Sequence, residues 1–239
     1  MFIYKMKNNL NQKLINLIEY YNLINANLVL SNTPLNRMVE NTTFSFTGTK
    51  IEKLNKLKKK IQSIKNCDLK KSAKNIVFGD GNINSQIMII GEGPGANEDA
   101  VGKPFIGRAG KLLDKMLSAI NLNRKKVYIS NVVNYRPPEN RKPTDREIQR
   151  YLPYLLSHIE IIKPKILLLL GSTSLNALIG NEDVISKARG KWFQKDIGNL
   201  KISVIASFHP AFLMRQPEQK KLAWIDLKMI RDKAKALKI

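Results

Sequence analysis

The chain has one cysteine, two histidines and only 19 acidic residues against 41 lysines and arginines in a length of 239. A single thiol, Cys67, excludes an intrachain disulfide; with no secretory signature it fits a reducing cytoplasm. Two histidines and one cysteine argue against a conventional zinc site. The longest purely apolar run, Ile166–Leu170, is far too short to span a bilayer, so no membrane role is expected. The opening Met1-Phe2-Ile3-Tyr4-Lys5 shows no apolar leader core and no cleavage site. The shortage of acids leaves a net charge of +22 and a pI near 10.0. That excess points to a polyanion, nucleic acid ahead of an anionic membrane surface. A composition rich in Lys, Ile and Asn accounts for part of it. Neither a Gly-x4-Gly-Lys-Ser/Thr phosphate loop nor a Gly-x-Ser-x-Gly elbow occurs.

What is present falls into two parts. Residues 9–24 carry Leu10, Leu14, Leu17, Ile18 and Tyr21 at helical spacing, and 31–49 is polar and turn-rich. The expected division is a helical extension with its linker over 1–49 and one domain over 50–239. Residues 50–74 hold ten lysines and one apolar stripe, Leu54, Leu57 and Ile61. Two readings stay open there: a solvated basic helix, or a contact to a nucleic-acid backbone. From residue 86 onward, strands alternate with helices. Gln86–Ile90, Lys126–Ser130, Ile166–Leu170 and Ile202–Ala206 read as strands. Lys111–Ile120, Thr144 to Ile162 and Pro217–Ala236 read as helices, with a short one after Ser172. Thr144 and Glu147 form a capping box, and Pro153 is a candidate kink. The alternation predicts a three-layer α/β/α domain around a central four-stranded parallel sheet. A continuous apolar strand such as Ile166–Leu170 suits a sheet covered on both faces.

In open parallel sheets, sites form beyond the carboxyl ends of the strands. The unusual segments fall there: Gly91-Glu92-Gly93-Pro94-Gly95-Ala96-Asn97-Glu98-Asp99 after the first strand, Asn131-Val132-Val133 after the second, Gly171-Ser172 after the third, and His209 to Arg215 after the fourth. Four loops are thus expected to build one pocket. The glycine loop is not read as a dinucleotide fingerprint, because its spacing is Gly-x-Gly-Pro-Gly and no helix is expected to start in it.

The stretches GEGPGANEDAVGKPFIGRAG, YISNVVNYRPPENRKPT and ASFHPAFLMR, with KPKILLLLGSTSLNALIG and Arg189-Gly190 between them, resemble the motifs of family 4 uracil-DNA glycosylases over about residues 64–230. The resemblance implies hydrolysis of the N-glycosidic bond of deoxyuridine in single- or double-stranded DNA, by a monomer that starts base excision repair. A base buried in a duplex must be flipped out to react. By the same resemblance, Phe105 is the aromatic on which uracil stacks, against the plainer reading of a core Phe. Asn131 would read the Watson–Crick edge, its amide oxygen accepting from N3–H and its NH2 donating to O4, a pattern cytosine reverses. His209 would face O2 as charge grows on the leaving base. Glu92 would orient water or stabilise the sugar cation. Gly93 and Gly95 would let the backbone approach the base, and Glu98 and Asp99 either shape the pocket near C5 or cap the loop. Phe212, Leu213 and Met214 would lie against the opened base stack, with Arg215 at a flanking phosphate.

The sequence departs from the family at a four-iron four-sulfur cluster held by four cysteines. Cys67 matches the second; Ile64, Tyr135 and Tyr151 stand at the other three positions. One thiolate cannot hold a cubane that takes four, so no cofactor is expected, and the four side chains are expected to pack together away from His209. Arg136 to Pro143 contains no histidine, so the covalent DNA linkage of a related branch is not expected. The competing reading is a catalytically weak or inactive DNA-binding member of the same superfamily.

Overall fold

The computed structural model describes residues 43–180 and 184–239; the helix expected over 9–24 and most of the 1–49 extension lie outside the described residues. Residues 43–49, expected as linker, pack on the domain instead. The Phe44 N–H donates to Ser157 Oγ at 2.6 Å, its ring lies 4.9 Å from that of Tyr154, and Lys60 Nζ sits 4.3 Å over it.

The strands are β1 (Asp80–Gly81), β2 (Ile87–Gly91), β3 (Tyr128–Asn131), β4 (Ile166–Leu170), β5 (Trp192–Ile197) and β6 (Leu200–Ser207), in the order β1-β3-β2-β4-β6-β5. The four inner strands are parallel, as the alternation predicts. The six-stranded sheet adds two antiparallel edges, β1 on β3 and β5 on β6. The sequence signal for β5 is the Gly198-Asn199 pair between Ile197 and Leu200. It makes a two-residue hairpin in which Gly198 takes φ +54°.

Strand period explains both packed faces. In β4, Leu167 and Leu169 face one apolar core and Ile166, Leu168 and Leu170 the other. The first core is covered by α1 (Lys50–Gln62), α5 (Asp145–Ile162) and α6 (Ser172–Leu178), the second by α4 (Arg108–Ser118) and α9 (Lys220–Ala236). Thr49 and Thr144 open α1 and α5 with complete capping boxes. Pro153 lies inside α5, and Ser157 Oγ turns back to the Pro153 carbonyl at 2.9 Å. The short helices are α2 (Asp68–Ser72), α3 (Ala96–Val101), α7 (Ile185–Ala188) and α8 (Pro210–Arg215). Two of these correct the sequence reading. A helix does begin in the glycine loop, capped by Gly95, and His209–Arg215 is helical because Pro210 fits the first turn and His209 caps it. The last helix accordingly starts at Lys220 rather than Pro217. Among the described residues no helix is long and apolar enough to cross a membrane.

Desolvation of the buried His158 and the half-buried His209 sets a pH dependence. His158 stacks on Phe78 at 4.3 Å and bonds Tyr128 Oη through Nε2 at 2.9 Å; burial lowers its pKa to about 3. Burial, with Arg215 nearby, lowers that of His209 to about 4, opposed by Glu98. Both are neutral when folded yet take up protons near pH 6.5 when unfolded. Stability is therefore full above 6.5 and falls as pH drops toward 4, by about 1.4 kcal/mol per pH unit for each histidine. Urea unfolding between pH 7 and 5, where few other side chains titrate, should show this decline; a flat profile would contradict the buried neutral state.

Candidate active site

The chain order reverses at β2, whose neighbours are β3 on one side and β4 on the other. The crevice expected at such a switch point is present: a cavity of about 240 Å³ bounded by Glu92, Gly93, Gly95, Glu98, Phe105, Asn131 and His209, among others. It has room for one flat six-membered ring. A groove of about 490 Å³ adjoins it, sharing Glu92 and His209 and running past Lys142 and Phe212 to Arg215.

Each side chain has an identifiable support. Gly91 pairs with Asn131 in the β2–β3 ladder. A methyl group on Gly91 would stand 2.5 Å from both the Asn131 Oδ1 and the Phe105 ring, so only glycine admits the two together. Asn131 is 2% exposed, and its Oδ1 is the one buried side-chain polar atom among the described residues without a hydrogen-bond partner. An acceptor left bare in this way is costly unless a ligand supplies a donor.

Phe105 is buried in left-handed backbone, φ +53°, which costs a side-chain-bearing residue roughly 1–2 kcal/mol. Its ring centroid lies 5.5 Å from that of His209. Glu98 secures the loop from one side, its Oε1 accepting from the N–H groups of Ile106 at 3.0 Å and Gly107 at 2.8 Å. Asp99, the next residue, faces away and does not line the cavity. Its Oδ1 accepts from the N–H groups of Lys74 and Asn75 at 2.9 and 3.0 Å, so of its two expected roles the structure gives it loop capping.

His209 Nδ1 accepts from the Ala211 N–H at 3.2 Å. In the neutral ring this leaves the proton on Nε2, as a donor. The strand behind it is anchored by Ser207, whose hydroxyl donates to the fully buried Asp226 at 2.7 Å, while Arg189 pairs with the same carboxylate at 2.6 Å. Burial raises the Asp226 pKa, and the bonds from Arg189 and Ser207 oppose the rise. Glu92 is half-buried and accepts a hydrogen bond from Thr173 Oγ1 in the first turn of α6; the sequence reading singled out neither Thr173 nor Asp226.

The expected DNA-contacting run divides. Phe212 and Arg215 line the groove, Arg215 is exposed and Met214 is half-buried. Leu213 is 1% exposed in the core against α4 and α9, which corrects its expected place at the base stack. Successive residues of a helix point about 100° apart, so a four-residue run cannot all face one partner.

The cluster positions do not fit iron and sulfur. Ile64, Cys67, Tyr135 and Tyr151 lie in one buried apolar core, with Cys67 Sγ 3.3 Å from Tyr151 Oη. Burial and the nearby thiol push the Tyr135 pKa up. Arg150 donates to the backbone carbonyls of Lys65 and Asn66, tying that segment to α5. Elsewhere among the described residues, no three acidic, histidine or cysteine side chains stand together as metal ligands.

A basic α/β/α chain with a ring-sized pocket at its strand ends has recognisable kin. The family model described as the uracil DNA glycosylase superfamily matches residues 78–228, and the chain belongs to that superfamily. Its similarity runs to the type-4 branch: it is 38% identical over 184 residues to a type-4 uracil-DNA glycosylase of Archaeoglobus fulgidus, covering 75% of this chain and 92% of the relative. The type-4 protein of Sulfurisphaera tokodaii is 40% identical over 189 residues, 77% and 86% of the two chains. A DNA polymerase of Bacillus phage SP01 is 33% identical over 153 residues, 64% of this chain but 16% of that protein.

The division of the 212–215 run is measurable. Leu213→Ala should lower stability by about 2–5 kcal/mol, as buried leucine truncations do. Arg215→Ala should change it by no more than about 0.5 kcal/mol and weaken binding to duplex DNA instead. Paired unfolding curves and binding isotherms check this; equal stability losses would reject the division.

Proposed function

We propose that the protein is a monofunctional uracil-DNA glycosylase that removes uracil from single- or double-stranded DNA as a monomer and so opens base excision repair. The observation that carries this reading is the unpartnered Asn131 Oδ1 in the cavity wall. Uracil presents an N3–H donor to that oxygen and an O4 acceptor to the amide NH2; cytosine presents an acceptor at N3 and a donor at C4. Phe105 offers the ring against which the extruded base lies.

As the bond between C1′ and N1 breaks, its electron pair leaves with the base and spreads onto O2. The His209 Nε2–H donates to that oxygen: the imidazole is kept neutral by desolvation, and its Nδ1 accepts from Ala211, which leaves the proton on Nε2. Glu92, oriented by Thr173, faces the sugar, where a carboxylate stabilises the developing cation and takes the proton of the attacking water. The products are free uracil and an abasic deoxyribose. The groove with Lys142 and Arg215 suits the flanking phosphates, consistent with the net charge of +22.

The test is a uracil-containing oligonucleotide, incubated and then treated with alkali. Strand breaks should appear only after alkali. Breaks without alkali, trapped by borohydride, would reject the monofunctional reading; DNA binding with no breaks at all would favour the non-catalytic one. His209→Ala should slow excision about 10²–10³-fold, the usual effect of losing one such donor. Asn131→Asp should lower the preference for uracil over cytosine, since the donor to O4 is gone.

We infer also that the protein works without iron. Arg150, Tyr151 and Cys67 join the segment before β1 to α5, where the family's metal cluster would act as a clamp. Purified protein should be colourless, should hold no stoichiometric iron by elemental analysis, and should keep its unfolding temperature in chelator.

A further inference from the structure

Phe105 is the residue of the site whose backbone is least at ease, and an arginine outside the cavity holds it. Arg124 lies between α4 and β3 and does not line the cavity. Its Nη1 donates to the Pro104 carbonyl at 3.0 Å and its Nη2 to the Phe105 carbonyl. The guanidinium is itself fixed by two acids, Asp114 on Nε at 2.8 Å and Asp80 of β1 on Nη1 at 3.0 Å. On the far side of the same loop, Glu98 accepts from the next two N–H groups, those of Ile106 and Gly107. Four consecutive residues around the φ +53° position are thus gripped by two charged side chains, carbonyls by the cation and N–H groups by the anion. Gly110 completes the seat: a methyl group there would stand 1.7 Å from the Phe105 oxygen, so α4 presses directly on this peptide.

We propose that Arg124 is a positioning residue that sets the plane and depth of the Phe105 ring for base stacking, a role that rests on the functional reading above. The grip needs a planar fork. Nε, Nη1 and Nη2 each take separate acceptors, which a lysine ammonium cannot reproduce from one point. A ring displaced by about 1 Å lies badly against a base held by Asn131 and His209, and misplacement on that scale can lower a rate about 10²-fold. Asp80 and Asp114 are partly exposed and can be resolvated when the arginine is removed.

The experiment is a double-mutant cycle of Arg124→Met and Phe105→Ala, with single-turnover excision of uracil as readout and the active fraction taken from the reaction amplitude. Arg124→Met should slow excision about tenfold to a hundredfold and weaken inhibition by free uracil in parallel. Its affinity for uracil-free DNA should stay within about twofold of the parent. In the double variant the rate should match Phe105→Ala alone, because the arginine acts through the ring. Arg124→Lys should lose activity in the same direction and carries the cycle if the methionine variant does not fold. Losses that multiply, or an Arg124→Met enzyme as fast as the parent, overturn the positioning role while leaving the glycosylase reading intact. A loss of amplitude at unchanged rate assigns Arg124 to folding only and overturns it too. A parent that leaves uracil in place overturns both.

Discussion

Gly91 ends β2 beside Asn131 of β3, and a methyl group there would stand 2.5 Å from the Phe105 ring and from the Asn131 amide oxygen alike. Phe105 comes from a loop and Asn131 from the end of a strand, and they meet because the neighbouring strand terminus has no side chain. Much of the site follows from that close approach. The Phe105 ring reaches the strand end in left-handed backbone, with Glu98 and Arg124 bonded to the peptides around it. The amide oxygen sits 2% exposed without a partner, a cost that a donor entering the pocket would offset.

The electrostatics of the pocket contrast with those of the chain. The chain is strongly cationic, yet the histidine in the pocket wall is neutral, held so by desolvation and given its tautomer by the Ala211 N–H. A cationic imidazole there would attract an anion more strongly but would have to be kept charged out of water. A fully buried carboxylate, Asp226, lies behind the site, compensated by Arg189 and Ser207, where it fixes the end of β6 that delivers His209. A buried pair of this kind contributes more to geometry than to net stability.

The segment before β1 is joined to α5 by hydrogen bonds and packing. The aromatic rings of Tyr135 and Tyr151 fill apolar volume, the Tyr151 hydroxyl finds the Cys67 sulfur, and Arg150 ties two backbone carbonyls to α5. Such contacts form as the chain folds.

The sequence by itself determined the four inner strands, the helices between them and the four loops that converge, because each long element carries its own period and its own caps. The capping boxes at Thr49 and Thr144 and the apolar run Ile166–Leu170 are local signals of that kind. The resemblance carried by the loop motifs named Glu92, Gly93, Gly95, Glu98, Phe105, Asn131 and His209 of the cavity wall, but not Ala109, Pro137, Asn140 or Arg141. Tertiary structure alone decided which member of an adjacent pair faces inward: Glu98 grips the Phe105 loop while Asp99 turns to Lys74 and Asn75, and Phe212 lines the groove while Leu213 enters the core. In helices of six residues there is too little length for a period to show which face is buried. The partners of Arg124, Thr173 and Asp226 were equally invisible, lying 10 to 81 residues away along the chain. Contacts of that kind follow from strand register and helix packing, which no local pattern encodes.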